Sequence, residues 1–147
     1  MDLQLQNKVA IVTGASKGIG RAIAQTLAQE SVRLVIVARS RAQLEELASP
    51  LGDRCLVQAV DLTNPAAPAA IVAATMARYG RIDILVNNAG STKRGDFLTL
   101  SEADWADGFG LKFYGAMRLS RAAWPHLCAS SGAIVNIVGI GGRTGPA

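Results

Sequence analysis

A glycine-rich stretch near the N-terminus, TGASKGIG over residues 13–20, carries the clearest chemical signal in this sequence. It follows an apolar run that predicts a strand and opens a run that predicts a helix, which is the setting of a phosphate-binding turn. Gly14 permits a sharp turn, Gly18 leaves room for a pyrophosphate, and Gly20 lets the helix pack tightly. Backbone N–H groups and the helix dipole would then face the phosphates.

We therefore interpret this stretch as half of a dinucleotide site, with an ordinary glycine-rich turn as the alternative. The residues assigned to the cofactor here are Gly14, Ser16, Lys17, Gly18, Ile19 and Gly20.

The end of the second predicted strand indicates which cofactor would bind. A free ribose 2′-hydroxyl favours an acidic residue at this point, but the chain has Arg39, Ser40 and Arg41, with Lys17 nearby. Guanidinium and hydroxyl groups would bind a 2′-phosphate through charge-assisted hydrogen bonds. The sequence therefore favours NADP(H) over NAD(H), with Arg39 and Ser40 as ligands. A solvated basic turn is the alternative; it accounts for Arg41 but not for the missing acid.

The elements that position these residues alternate between strand and helix. Short, continuous apolar runs predict strands at residues 8–13, 33–38, 55–60, 82–86 and 133–138. Helical patterns lie between them: an apolar stripe of Ile19, Ile23 and Leu27, then residues 40–48 behind an N-cap Ser40, then residues 65–79 ending at Gly80. This order predicts an α/β fold, a Rossmann-type doubly wound parallel sheet in three α/β/α layers.

The longest predicted helix begins at Ser101, where Asp104 completes a capping-box pattern, and it runs toward a kink or an end at Pro125. Glycines at 108, 110 and 115 lie inside it. They indicate close approach of another backbone or of a ligand, and a merely weak helix is the alternative.

Composition narrows the classes of protein to consider. The 147 residues suit one domain, and the net charge of +4 comes from scattered cations without interleaved aromatics, so no nucleic-acid partner is expected. Neither a signal peptide nor a membrane span is recognisable, which predicts a cytoplasmic protein without membrane contact. Cys55, Cys128 and the single His126 have no metal-site spacing, and no metal is expected.

Four motifs taken together resemble those of the short-chain dehydrogenase/reductase family. They are Thr13-Gly14-x-x-x-Gly18-Ile19-Gly20, then Asp61-Leu62, then Asn87-Asn88-Ala89-Gly90, then IVNI at residues 134–137. The sequence looks most similar to the 3-oxoacyl-acyl-carrier-protein-reductase-like members. The resemblance implies an oxidoreductase that moves hydride between nicotinamide and a small carbonyl or alcohol substrate, and a homo-oligomer in the full-length protein.

The resemblance also implies individual roles. Asp61 would bind the adenine amino group with Leu62 beside the ring, and Asn87 would tie the central strands together. Asn88, Ala89 and Gly90 would line the riboses. The simpler alternatives are an Asx turn at Asp61 and a plain turn at residues 87–90.

The family's catalytic positions are where this sequence departs from the pattern. The family uses an asparagine, a serine, and a tyrosine followed four residues later by a lysine. Here Lys112 aligns with the asparagine and Gly139 with the serine, and the Tyr-x-x-x-Lys element would fall beyond Ala147. Lys112 is either a substitute donor or a helix lysine reaching solvent. Other hydroxyl candidates are Ser91, Thr92 and Thr144, and no catalytic residue is assigned.

We therefore expect residues 1–147 to form an NAD(P)-binding Rossmann domain that is incomplete at its C-terminus, truncated after the fifth strand and inactive alone. One alternative is a nucleotide-binding pseudoenzyme without dehydrogenase chemistry. Another is an interaction module that uses the helix at residues 101–128, whose family counterpart packs in dimers.

Overall fold

The computed structural model describes residues 3–91 and 93–139 and contains one five-stranded parallel sheet flanked by helices. The strands are β1 (Val9–Thr13), β2 (Arg33–Ala38), β3 (Cys55–Ala59), β4 (Ile84–Asn87) and β5 (Ala133–Asn136). The helices are α1 (Gly18–Gln29), α2 (Arg41–Ala48), α3 (Ala67–Tyr79), α4 (Glu102–Phe109) and α5 (Ala116–Ser130). A 3₁₀ segment (Ser49–Arg54) precedes β3, and a π turn (Gly110–Gly115) joins α4 to α5.

The strand order is β3-β2-β1-β4-β5, with β1 at the centre and every pair parallel. Alternate residues of β1 point to opposite faces, and both faces are covered. Ile11 packs with α3 and α5 in one apolar cluster, while Ala10 and Val12 pack with α1 and α2 in the other. This confirms the predicted doubly wound, three-layer α/β/α fold and explains why the strands read as continuous apolar runs.

All five predicted strands are present; β2 has the predicted bounds, and the ends of the others differ from the predicted ones by at most two residues. The Ser101–Asp104 capping box is also present: the Asp104 N–H donates to Ser101 Oγ at 3.2 Å, and the Ser101 N–H donates to Asp104 Oδ2 at 3.0 Å. Gly80 ends α3 in the left-handed conformation. The predicted close approach holds at Gly115, where an added Cβ would lie 3.2 Å from the Leu62 carbonyl oxygen, but not at Gly110, which faces open space.

The long helix does not end at Pro125, which was one of the two outcomes predicted for this residue. α5 continues through Pro125 to Ser130, and the interruption comes earlier, at the π turn. Pro125 lies on the exposed side of α5, while Leu119 and Leu127 anchor the other side in the core. A proline ring on the solvent side leaves the freed carbonyl accessible to water, so the packed side can carry the helix past it.

The predicted apolar stripe of α1 is also partly wrong. Ile23 and Leu27 pack against the core as expected, but Ile19 is 63% exposed, and the buried positions of the helix are Gly20 and Ala24. Ile19 stands in the first turn of the helix and packs against neither of the two apolar clusters. Its spacing from Ile23 and Leu27 therefore fits an apolar stripe, although its side chain is exposed.

Two further sequence-based expectations concern thiols and membranes. Both cysteines are free; burial raises the pKa of the Cys55 thiol to about 11, and Cys128 is exposed. No helix within residues 3–91 and 93–139 has the length and apolarity needed to span a bilayer.

Asp83 ties together the strand ends opposite to those that carry the sequence motifs. Its side chain is 4% exposed and accepts hydrogen bonds from the Val9 N–H at 2.9 Å and from Arg81 Nε at 2.8 Å and Nη2 at 2.6 Å. Lys8 Nζ lies 3.6 Å away. Burial works to raise the pKa of this carboxyl, but the bonds from Arg81 and Val9, with the charges of Arg81 and Lys8, outweigh burial and lower it.

We predict that Asp83→Asn lowers the free energy of unfolding by about 1–3 kcal/mol at pH 7, because charge-assisted bonds at a buried position are lost. The folded-state pKa lies below the unfolded value of about 3.9, so this stabilisation is present above pH 4 and is lost as the pH falls toward the folded-state pKa. Urea unfolding at pH 7 and at pH 3 should show the difference between wild type and variant shrinking at low pH. A difference independent of pH would contradict this assignment.

Candidate functional site

The site lies at the carboxyl ends of the five strands, where a cleft of about 1090 Å³ runs across the sheet from β3 to β5. All residues that the sequence analysis assigned to the cofactor line this cleft except Gly20. Lys112, Gly139 and Ser91 also line it. Thr92 and residues 140–147, with the hydroxyl candidate Thr144, lie outside the described residues. In open α/β sheets this edge is where ligands bind.

The glycines of the turn are required for two different reasons. Gly14 has φ +66°, and an added Cβ would lie 2.8 Å from Asn88 Nδ2 and 3.0 Å from Ala89 Cα. Gly20 packs beneath the turn, where a Cβ would run into the Gly14 carbonyl and the Asn88 amide. Gly18 instead faces open space, with no heavy atom within 4 Å of its Cβ position. The turn is thus closed on the protein side and open on the cleft side.

The first turn of α1 has the electrostatic properties of an anion-binding site. Its N-cap is Lys17 in an extended conformation, without a side-chain capping bond, and the turn contains no acidic residue. The leading N–H groups of the helix therefore have no acceptor supplied by a cap, and they carry the positive end of the helix dipole. A glycine cradle in front of such a helix end fits a pyrophosphate.

The Thr13 hydroxyl joins the glycine turn to the end of β4, a role that the sequence analysis did not assign. Its Oγ1 accepts the backbone N–H groups of Asn88 at 3.0 Å and Ala89 at 2.9 Å, and it donates to the Val86 carbonyl at 3.2 Å. The Asn88 side chain returns the contact by donating to the Thr13 carbonyl at 3.1 Å. The available signal was a threonine at the end of an otherwise apolar, fully buried strand.

We predict that Thr13→Val, which keeps the side-chain shape, lowers the free energy of unfolding by about 2 kcal/mol because two partly buried N–H groups lose their acceptor. Urea denaturation provides the measurement. Thr13→Ser is the matched control, since it retains the hydroxyl and should keep most of the stability. A larger loss in Thr13→Ser than in Thr13→Val would show that the methyl group matters, not the hydrogen bonds, because valine keeps the methyl and serine does not.

The ends of β2 and β3 form one side of the cleft, where Arg39 and Asp61 bring opposite charges together. Arg39 is exposed and lies close enough to Asp61 to help lower the pKa of that carboxyl. Ser40 occupies the N-cap position of α2, as predicted, but makes no capping bond. Arg41, by contrast, pairs with Glu45 at 3.4 Å. Two groups suited to a phosphate therefore face the cleft from the end of β2.

Asp61 forms the Asx-type turn that the sequence analysis offered as its simpler role. Its Oδ1 accepts from the Thr63 N–H at 2.9 Å and from the Thr63 hydroxyl at 2.8 Å. The bonds from Thr63, with the charge of Arg39, outweigh partial burial and hold the pKa of Asp61 below its usual value. The ionised carboxylate still lines the cleft, so the turn and the ligand role are compatible.

Asn87 ties β4 to its neighbours, which is the structural role implied by the resemblance. Its side-chain amide donates to Asn136 Oδ1 of β5 at 2.9 Å and to Ser120 Oγ of α5 at 3.0 Å. The two asparagines lie opposite each other in the strand register. This polar junction fixes the end of β5 beside β4 and so shapes that end of the cleft.

Comparison with known proteins decides the family. A family model described as short chain dehydrogenase matches residues 8–147. The chain belongs to the short-chain dehydrogenase family. It is 35% identical to the 3-oxoacyl-acyl-carrier-protein reductase of Vibrio cholerae over 99% of this chain and 60% of that protein.

Two solved structures agree with this assignment. A short-chain dehydrogenase from Streptomyces avermitilis is 38% identical, with a TM-score of 0.88, over 94% of this chain and 51% of that one. The L-sorbose reductase of Gluconobacter frateurii, complexed with NADPH and L-sorbose, is 37% identical, with a TM-score of 0.88, over 92% of this chain and 54% of that one. The chain thus spans 51–60% of the length of these three relatives.

Lys112 and Gly139 are the two described positions at which this chain departs from the catalytic residues of the family that it resembles. Lys112 lies in the π turn, and its aliphatic stem packs over Gly90: Cδ and Cε lie 3.3 and 3.5 Å from the position that a Gly90 Cβ would take. Gly139 has open space where a side chain would be. Neither Tyr79 nor Tyr114 lines the cleft, and within residues 3–91 and 93–139 its lining includes no tyrosine or histidine.

Proposed function

We propose that this chain is the cofactor-binding portion of an NADP(H)-dependent oxidoreductase that acts on a carbonyl or alcohol substrate. The observation that carries the proposal is the pairing of an open glycine turn at the start of α1 with Arg39 and Ser40 at the end of β2. The first suits a pyrophosphate, and the second suits the 2′-phosphate that distinguishes NADP(H) from NAD(H). Family membership supports the same reaction class.

The roles of the lining residues follow from their places around the cleft. Gly14, Ser16, Gly18 and Ile19 would hold the pyrophosphate at the first turn of α1, with Gly20 packed beneath. Asp61 and Leu62, at the end of β3, would hold the adenine, while Asn88, Ala89 and Gly90 would line the riboses. The bound nicotinamide would supply the hydride chemistry, and these residues would position it.

The preference for NADP(H) rests on charge. The cation nearest the proposed 2′-phosphate site is Arg39, which has no ion-pair partner among the described residues, with Lys17 at the neighbouring turn. A phosphate there would gain charge-assisted hydrogen bonds from the guanidinium and the Ser40 hydroxyl. The NADPH complex of the L-sorbose reductase supports this choice.

We predict that Arg39→Ala weakens NADPH binding by about 10- to 100-fold, because a charged hydrogen-bonding partner of the 2′-phosphate is removed. NADH binding should change little, since NADH lacks that phosphate. Titration of the purified chain, followed by calorimetry or by nicotinamide fluorescence, gives both constants. Arg41→Ala is the matched control because its guanidinium is paired with Glu45. Equal weakening of NADPH and NADH by Arg39→Ala would count against the assignment.

The second candidate is a protein that binds the nucleotide without dehydrogenase chemistry. It is motivated by Gly139 and Lys112, which replace the family's serine and asparagine. Assays of the full-length protein with NADPH and a panel of ketones and 3-oxoacyl thioesters separate the two functions. Nicotinamide oxidation that depends on a carbonyl substrate favours the reductase, whereas tight NADPH binding without turnover favours the second candidate.

We also propose that the full-length protein is a homo-oligomer in the cytoplasm. Its subunits would associate through the surface formed by α4, the π turn and α5. This surface exposes Trp105, Phe109, Phe113 and Trp124. Exposed aromatics clustered on adjoining elements are typical of protein interfaces. Sedimentation of the full-length protein should show a dimer or a larger assembly, and the Phe109→Glu variant should dissociate. A monomeric wild-type protein would contradict the proposal.

A further inference from the structure

The charged residues in the lining of the cleft are unevenly distributed. Lys17 precedes α1, and Arg39 and Asp61 lie together at the ends of β2 and β3. Lys112 stands apart from them, over the end of β4. Within residues 3–91 and 93–139 no carboxylate pairs with its ammonium group. The end of the cleft formed by β4 and β5 therefore carries one uncompensated positive charge.

This end of the cleft faces the nicotinamide half of the cofactor if the proposed function holds. A pyrophosphate at the start of α1 sits over β1, and the adenosine ribose binds beside the residues that end β2. Since β4 and β5 lie on the other side of β1, the nicotinamide must extend toward them. The Lys112 stem crosses Gly90 on that side, with Cγ, Cδ and Cε all within 3.6 Å of the Gly90 Cβ position.

The two redox forms of the cofactor differ in charge at this place. The nicotinamide ring carries a positive charge when oxidised and none when reduced, whereas the phosphates are the same in both forms. A fixed ammonium near the ring repels the oxidised form and leaves the reduced form unaffected. The phosphates have their own partners at α1 and β2, so the charge of Lys112 is not needed to bind them.

We propose that Lys112 is a specificity-determining residue that makes the cleft bind NADPH in preference to NADP⁺. The inference rests on the proposed function and deepens it, because such a site favours the form of the cofactor that donates hydride. It assigns Lys112 a role based on charge, distinct from that of the asparagine found at this position in the family.

The test compares the dissociation constants of NADP⁺ and NADPH for the wild-type chain and for two variants, measured by calorimetry. We expect Lys112→Met to lower the ratio of the NADP⁺ constant to the NADPH constant by about two- to tenfold, the range of a partly screened charge pair. Lys112→Arg keeps the charge and should restore the wild-type ratio. Added salt should lower the wild-type ratio toward that of Lys112→Met.

Lys93→Met is the matched control, because Lys93 does not line the cleft and pairs with Asp104 at 3.1 Å. It should leave the ratio unchanged. Lys112→Gln, with circular dichroism to verify folding, repeats the test if the methionine variant is unstable. A ratio insensitive to Lys112 in a chain that binds both forms overturns this inference alone. Failure of the wild-type chain to bind either form overturns the proposed function and this inference together.

Discussion

The hydrogen bonds of Thr13 and Asn88 make the glycine turn and the end of β4 a single unit, and the cleft is built on that unit. The Thr13 hydroxyl accepts two consecutive backbone N–H groups from the β4 end, and the Asn88 amide donates to the carbonyl of Thr13 at 3.1 Å and of Gly14 at 3.4 Å. Gly20 then packs directly against Gly14. Because no side chain fits between these parts, the first turn of α1 is held at a fixed distance from β4.

The charged side chains around this unit differ between the two ends of the cleft. The start of α1 has no acidic residue and no capping side chain to compete with an anion. At the β2–β3 side Arg39 faces Asp61, whose carboxylate is already engaged by Thr63. At the opposite side Lys112 lies over Gly90. A long, polar ligand therefore meets a guanidinium beside a carboxylate at one end and a lone ammonium at the other, which distinguishes its two ends.

Sequence patterns succeeded where one local constraint decided the structure and failed where distant packing did. Continuous apolar runs gave the five strands, because burial on both faces leaves no other pattern. The capping box at Ser101 depends on residues three apart and was predicted correctly. Ile19 fitted a helical stripe but is exposed in the first turn of α1, and Pro125 was tolerated because it faces solvent. Periodicity does not show which residues of a helix the rest of the fold covers.

The sequence by itself determined the fold class, the family and twelve of the residues that line the cleft, because each depends on residue types within short motifs. The tertiary structure alone decided how those residues cooperate. Only folding brings Thr13 to residues 88 and 89, Asn87 to Asn136, and the Lys112 stem to Gly90. These contacts join positions from 22 to 76 residues apart, and their geometry is set by sheet register and helix packing, which local patterns do not encode.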